Sequence, residues 1–178
     1  DLSGYDGVIV PERLHAGKLQ AARHRLVEVL DRGGLVVMFG EQSVYGTHPT
    51  GWLPGIDWEH RPTNFWWWLE PGAARPLRDH HPDHDLWRHM ALPAVTWHHH
   101  GVFRPPSGAL TLVSATEGGA VLYIDEATTA GTLVVAALDP MSHYGSYFMP
   151  ATERFLDAFL PWLAEGDVTS SHSQGEPR

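Results

Sequence analysis

Apolar residues near the N-terminus follow first a strand pattern and then a helix pattern. Tyr5 to Pro11 is a short β-branched run closed by proline, which predicts a buried strand. From Gly17 to Arg32 apolar side chains recur at helical spacing, with charged residues on the opposite face. Gly33 and Gly34 supply a helix stop, and the continuous apolar run from Leu35 to Phe39 predicts a strand buried on both faces. Strand, helix and strand within about 35 residues indicate a βαβ unit with a parallel strand pair.

Regular patterns return in the C-terminal part of the chain. Two apolar runs, Ala109 to Ala115 and Ala120 to Asp125, flank a turn at Glu117 to Gly119 and predict a β-hairpin. Thr132 to Leu138 predicts another strand, and Met149 to Ala164 is apolar at helical spacing. We therefore expect an α/β fold of flavodoxin-like type, with a mainly parallel open sheet flanked by helices and a β-hairpin.

The segment between these regions has no regular pattern. Residues 42–108 are rich in proline, histidine and tryptophan, and we expect a long irregular insertion that contains short elements. The length of 178 residues suits one domain, which we place at residues 1–164. The polar residues 165–178 predict a disordered tail. The first predicted strand begins within a few residues of the start of the sequence, which would leave the sheet edge beside it exposed. We therefore expect additional N-terminal strands at this edge, supplied by the remainder of a larger protein or by a homo-oligomer.

Composition argues against several classes of function. The chain has no cysteine, which excludes disulfides, thiolate metal sites and a thiol nucleophile. The net charge is −9 and Lys18 is the only lysine, so the basic face that nucleic-acid binding requires is missing. The longest apolar runs are far shorter than the roughly 20 residues of a membrane span. No signal-peptide pattern opens the sequence, and we expect a cytoplasmic location with no membrane partner.

Histidine and tryptophan are the enriched residue types, with 13 and 8 copies, and most lie in the central segment. The run from Asp79 to Asp85, together with His89, His98 and His100, offers ligands for a divalent metal. The spacing matches no known ligand signature, and a solvated polar loop is the alternative interpretation. His98 and His100 would share one face of a strand and are candidates to line a ligand crevice.

The aromatic run around Trp66 and Trp68 is the second unusual feature of the central segment. These two side chains would share one face of a strand, whereas Trp67 would point to the other face. They can stack on a sugar ring or another flat ligand, or they can pack in the core or between subunits. Both interpretations remain open.

Acidic residues follow the predicted parallel strands at the edge where such folds bind ligands. Glu12, Glu41 and Asp139 each come just after a strand end, and His143 follows Asp139 by four residues in a glycine-containing loop. A carboxylate and an imidazole can perform general acid–base catalysis near neutral pH. Glu41, Asp139 and His143 are therefore candidate catalytic residues, and Glu12 is a candidate substrate-binding residue. The structural alternative is that Glu41 caps a helix, Asp139 begins a turn and His143 is a loop residue.

The strand Tyr5-Asp6-Gly7-Val8-Ile9-Val10-Pro11 resembles the strand that reads "YDGLILPGG" in class I glutamine amidotransferase-like proteins. The segment from Gly33 to Gly40 resembles the next unit of that superfamily, which leads to its nucleophile elbow. The strand Thr132 to Leu138, followed by Asp139 to His143, lies where the superfamily carries its His-Pro-Glu catalytic pair. ThuA-like proteins and the trimerisation domain of some β-galactosidases are similar branches. The resemblance implies an open α/β sheet.

The nucleophile elbow is where the chain departs from that superfamily. Phe39-Gly40-Glu41-Gln42 stands where a cysteine is required, so glutamine hydrolysis through a thioester is not expected. Three functions follow. The first is a hydrolase or lyase that acts on a small polar or carbohydrate-like molecule without a cofactor. The second is a non-catalytic binding or oligomerisation domain, and the third is a metal-binding protein that uses the histidines.

Overall fold

The fold is described from a computed structural model. It describes residues 1–40, 42, 53, 56–61, 77–97, 99–147 and 149–168. The predicted tail and the aromatic run at Trp66 to Trp68 lie outside the described residues, apart from the start of the tail at 165–168.

Three parallel strands form one side of the sheet. They are β1 (Gly7–Val10), β2 (Leu35–Phe39) and β8 (Thr132–Ala136), and β2 lies between the other two. Val8 is paired with Val36, and Val36 with Leu133. Helix α1 (Ala16–Asp31) connects β1 to β2 and buries its apolar stripe, while β2 is almost completely buried. The predicted βαβ unit is confirmed, and each bound lies within a few residues of the prediction. The prediction that the first strand is buried is wrong, because β1 lies at the end of the strand order and Ile9 is 37% exposed.

Antiparallel strands extend the sheet beyond β8. In the described part of the chain they are β3 (Trp58–His60), β4 (Leu77–Asp79), β5 (Gly101–Phe103), β6 (Leu110–Ala115) and β7 (Ala120–Asp125). The β6–β7 hairpin is confirmed, and β7 pairs antiparallel with β8. The order is β1-β2-β8-β7-β5-β3, with β6 pairing with β7 and β4. The α/β class with an open sheet flanked by helices is confirmed. The connections from β6 to β7 and from β7 to β8 are short, which explains why these two strand pairs are antiparallel.

Short elements occupy the described part of the central segment, as the sequence predicts. Helix α2 (Leu86–His89) is followed by a 3₁₀ turn at Leu92–Val95. His99 and His100 precede β5, so the strand geometry expected for His100 does not apply, and His98 lies outside the described residues. Pairing with β3 begins at Gly101, opposite His60, so the two histidines lie before the paired residues.

Two C-terminal helices complete the fold. Helix α3 (Pro140–His143) is a single turn directly after Asp139, and α4 (Pro150–Glu165) is the predicted C-terminal helix. In α4, Phe155 and Phe159 stack at 4.6 Å between ring centroids and contact Phe39 at 6.0 and 5.5 Å. This aromatic packing holds α4 against the end of β2, beside the carboxyl edge of the parallel strands.

Candidate functional site

Polar residues meet at the carboxyl ends of the three parallel strands. Because β1, β2 and β8 run in the same direction, the residues that follow them emerge at one edge of the sheet. Glu12 and Arg13 follow β1, Gln42 follows β2, and Asp139 follows β8. Glu12 and Asp139 lie at the same edge in the structure, whereas Glu41 lies outside the described residues.

Asp139 is the centre of this edge. Its side chain is only 1% exposed. Oδ1 accepts a hydrogen bond from Nε1 of Trp97 at 3.2 Å, and Oδ2 accepts one from Nη2 of Arg13 at 3.0 Å. Nε2 of His143 lies 3.1 Å from the same Oδ2 atom, and Nε2 of His100 lies 3.4 Å from it. We call these five residues the Asp139 cluster.

The distances assign different roles to the two histidines of the cluster. Nη2 of Arg13 lies 3.1 Å from Nε2 of His100, and a guanidinium can only donate. Nε2 of His100 is therefore the acceptor of this hydrogen bond, which agrees with its longer distance to the carboxylate. Nε2 of His143 faces a carboxylate oxygen and donates to it. The contact with the carboxylate therefore fixes the orientation of the His143 ring.

Arg13 enters the cluster through an unusual backbone conformation. Its φ angle is +60°, in the left-handed region that non-glycine residues rarely adopt. This conformation costs about 1–2 kcal/mol for a residue with a side chain. It occurs at the point where the guanidinium contacts Asp139, across 126 positions of the chain. The Arg13 side chain is 39% exposed, so the guanidinium lies between the buried carboxylate and solvent.

Glu12 connects β1 to the helix that carries His143. Glu12 is 6% exposed, and its Oε1 accepts a hydrogen bond from the backbone N–H of Ser142 at 2.5 Å. Asp139 is the N-cap residue of α3, but its carboxylate makes no cap hydrogen bond and is directed into the cluster instead. The structural alternative for Asp139, a simple turn residue, therefore does not describe its contacts. Glu12, which follows β1, accepts this hydrogen bond from the first turn of α3 instead.

Gln42 is a buried residue of the edge that sequence reasoning missed. Its Nε2 donates to the carbonyl oxygens of Pro11 at 2.9 Å and Phe39 at 2.8 Å. This side chain therefore ties the end of β1 to the end of β2. Gly40 lies between Phe39 and Gln42 with φ +53°, and it allows the two strand ends to approach.

The structure brings together some of the predicted site residues and leaves others undecided. Asp139, His143, His100 and Glu12 lie along one edge. Glu41, Trp66, Trp68 and His98 lie outside the described residues. Arg13, Trp97 and Gln42 were not predicted, and only their places after strand ends or beside the histidine run offered a signal.

Three further histidines of the central segment contact different partners. Nε2 of His80 lies 2.7 Å from the Ser114 hydroxyl oxygen, and His89 lies 3.6 Å from Asp85. His84 is buried with its ring 6.0 Å from that of Trp162 in α4. Among the described residues, no group of three or more His, Asp or Glu side chains is arranged to hold a metal ion.

Large side chains are exposed on the segment that follows Asp139. Met141 is 39% exposed, Tyr144 is 59% exposed and Tyr147 is fully exposed. We call these three residues the exposed loop surface: Met141 lies in α3, and Tyr144 and Tyr147 follow it. Within the described ranges, no helix is both long and apolar enough to span a bilayer.

The fold and its carboxyl-edge site define the chain as an open-sheet α/β protein, and solved structures share this fold. The chain is similar to the cytoplasmic protein STM3548 from Salmonella typhimurium, with a TM-score of 0.61, 12% identity, and coverage of 92% of this chain and 72% of that one. It is also similar to the cytoplasmic protein STM1381 from Salmonella typhimurium LT2, with a TM-score of 0.58, 14% identity, and coverage of 89% and 72%. The mmIFT52 N-terminal domain matches with a TM-score of 0.56, 16% identity, and coverage of 95% and 81%.

At these identities the likeness extends to the fold alone. No protein-family model matches the sequence, and the search of curated proteins gives no significant match. The resemblance to glutamine amidotransferase-like proteins stays a prediction.

Proposed function

We propose that the protein is an enzyme, a hydrolase or lyase that acts on a small polar or carbohydrate-like molecule. The observation that carries this proposal is the contact between Asp139 and His143, at 3.1 Å, with the carboxylate almost completely buried. A buried carboxylate that holds one ring nitrogen of an imidazole orients the ring and stabilises its protonated form. His143 is then the general acid or base, and Asp139 is its positioning residue.

The other polar side chains of this edge would bind the substrate. Arg13 is anchored by one nitrogen on Asp139 and is partly exposed, so its remaining N–H groups can donate to substrate oxygens. His100 and Glu12 line the same edge. Glu41, next to Gly40 in sequence, is the second carboxylate of the proposal. Proton transfer by such a pair requires no cofactor.

A substrate-class survey with matched histidine variants tests the proposal. The wild-type protein is assayed against nitrophenyl esters, nitrophenyl glycosides, phosphate esters and β-elimination substrates. His143→Gln should lower turnover of the responsive class by about 100-fold or more, because the proton-transfer group is lost. His24→Gln, on the exposed face of α1, is the control and should retain full activity. Activity that survives in His143→Gln, or no turnover of any class, would contradict the proposal.

The second candidate is a non-catalytic binding or oligomerisation domain. The exposed loop surface favours it, because a fully exposed tyrosine flanked by other large side chains is typical of a contact surface. Light scattering after size exclusion should then show a homo-oligomer that Tyr147→Ser weakens. Tyr5→Ser, at another exposed tyrosine, is the control. A wild-type monomer at every concentration would reject the oligomerisation domain.

We also propose a cytoplasmic location with a small-molecule ligand and no nucleic-acid partner. The support is the acidic net charge of −9 and the description of two structural neighbours as cytoplasmic proteins.

A further inference from the structure

Among the residues that the structure describes, two buried side-chain oxygens at the strand edge have no hydrogen-bond partner. They are Oε2 of Glu12 and Oε1 of Gln42. Glu12 is 6% exposed and Gln42 is fully buried. Buried polar atoms in folded proteins are paired in the large majority of cases, because an unpaired one loses its hydration without compensation. Two unpaired acceptors at one sheet edge therefore require an explanation.

Reorienting the side chains does not supply a hydrogen-bond donor to either oxygen. Nε2 of Gln42 donates to two carbonyl oxygens, those of Pro11 and Phe39. An amide flip would place Oε1 against both carbonyls, which cannot donate, so the observed orientation is the favourable one. For Glu12 the two carboxylate oxygens are equivalent: one accepts from Ser142 N–H, and the other remains without a donor whichever way the group turns.

Both acceptors lie beside the proposed acid–base pair. Glu12 precedes Arg13, which contacts Asp139, and the hydrogen bond from Ser142 attaches Glu12 to the residue before His143. The side chain of Gln42 is attached to Pro11, the residue before Glu12. A group that binds to these oxygens would therefore lie next to the Asp139 cluster.

We propose that Glu12 and Gln42 form a subsite that accepts hydrogen bonds from an O–H or N–H donor of the ligand. Oε2 of Glu12 and Oε1 of Gln42 are both acceptors, so the group that binds to them must be a hydrogen-bond donor. A hydroxyl group and a primary ammonium group share this chemistry, whereas a carboxylate or phosphate is repelled by Glu12. This inference rests on the proposed function, since it assigns substrate recognition to the same site. It makes Glu12 and Gln42 specificity-determining residues.

Buried water is the competing occupant. A water molecule can donate hydrogen bonds to buried acceptors, and such waters are common in folded proteins. Water would satisfy these oxygens without selecting any ligand. The experiment must therefore measure selectivity between donor and acceptor ligands as well as occupancy.

The backbone amide of Ser142 is a suitable reporter for this experiment. Its N–H donates to Oε1 of Glu12 at 2.5 Å, so a donor that binds to the other carboxylate oxygen changes its environment directly. The amide resonance is followed by two-dimensional NMR of the full chain. Three small probes are titrated: ethylene glycol for hydroxyl donors, ethylammonium for ammonium donors, and propionate as the acceptor control. We expect saturable shifts with at least one donor probe and none with propionate.

A charge-neutral variant tests the role of Glu12. In Glu12→Gln the amide oxygen can keep the hydrogen bond from Ser142, while the other atom becomes a donor and no longer accepts. We expect affinity for the responsive probe to fall about tenfold or more. The melting temperature should stay within about 2–4 °C of wild type. If this variant does not fold, Glu12→Asp serves instead, because it withdraws the carboxylate while keeping its charge. Glu28→Gln on the exposed face of α1 is the control.

The outcomes separate this inference from the proposed enzyme function. Donor binding that needs Glu12 and persists in His143→Gln supports the subsite, even if no turnover is found in any assay. Equal response to all three probes, or unchanged affinity in Glu12→Gln, means that the two oxygens hold water only and overturns the inference. Loss of turnover in His143→Gln without any donor selectivity would support the enzyme and overturn the subsite.

Discussion

The contact of Gly40 with the end of β8 gives the most direct test of how the edge is assembled. Gly40 has a φ angle of +53°. A Cβ atom at this position would lie 2.8 Å from the carbonyl oxygen of Leu138 and 3.0 Å from Cβ of Glu12. Leu138 immediately precedes Asp139, so Gly40→Ala would push apart the residues that build the site.

The loss of unfolding free energy expected for Gly40→Ala has two separate contributions. An alanine in the left-handed region costs about 1–2 kcal/mol relative to glycine. Overlap with a backbone oxygen adds about 1–3 kcal/mol, as for other overpacked positions. Gly33 is the matched control, because its φ angle is +83° but no atom lies within 4 Å of the added Cβ. Both substitutions reduce the entropy of the unfolded chain equally, so their difference of about 1–3 kcal/mol isolates the close approach.

Equilibrium unfolding in urea, followed by tryptophan fluorescence, measures both variants. We expect Gly40→Ala to lose about 2–5 kcal/mol of the free energy of unfolding and Gly33→Ala about 1–2 kcal/mol, with unchanged denaturant slopes. The NMR shift of the Ser142 amide should also move in Gly40→Ala and not in Gly33→Ala. Equal losses in the two variants would show that the strand ends do not approach as described.

Two further substitutions probe the buried polar groups. Trp97→Phe removes the donor to Oδ1 of Asp139 and should lower the free energy of unfolding in urea by about 1.5–3 kcal/mol or more. The control is Trp87→Phe, whose indole is at a partly exposed position and whose loss should be smaller. A larger loss in Trp87→Phe than in Trp97→Phe would contradict the Asp139 cluster. Burial raises the pKa of the Tyr123 phenol above its ordinary value of 10.0. The folded state then holds this proton more tightly than the unfolded chain, so the resulting stability is complete below pH 10 and is lost as the pH rises above it. Tyr123→Phe should therefore flatten the alkaline fall of the melting temperature, while Tyr5→Phe, at an exposed tyrosine, should leave it unchanged.

Local sequence patterns predicted the elements that place the site. The continuous apolar runs at Leu35 to Phe39 and Thr132 to Leu138 are strands because each is buried on both faces, and α1 follows from apolar residues at helical spacing. Parallel pairing alone then brings the residues after each strand to one edge. This is why Asp139 and Glu12 could be placed together without any knowledge of contacts.

The partners of Asp139 could not be predicted in the same way. Arg13 and Asp139 are 126 positions apart, and Trp97 is 42 positions from the same carboxylate. No periodicity links such positions. The left-handed conformation of Arg13 is also absent from its local sequence, since arginine rarely adopts it.

The sequence alone determined the fold class, the parallel strands, the absence of thiol chemistry and the edge at which polar groups collect. These properties depend on short-range periodicity and on which residue types are present. Only the tertiary structure decided that Asp139 is buried among four donors or ring nitrogens, that Glu12 rather than Asp139 accepts a hydrogen bond from the first turn of α3, and that, within the described residues, Gln42 presents an unpaired acceptor. These properties depend on distances of about 3 Å between residues remote in sequence, where hydrogen bonds form or fail, and such distances are set only when the whole chain has packed.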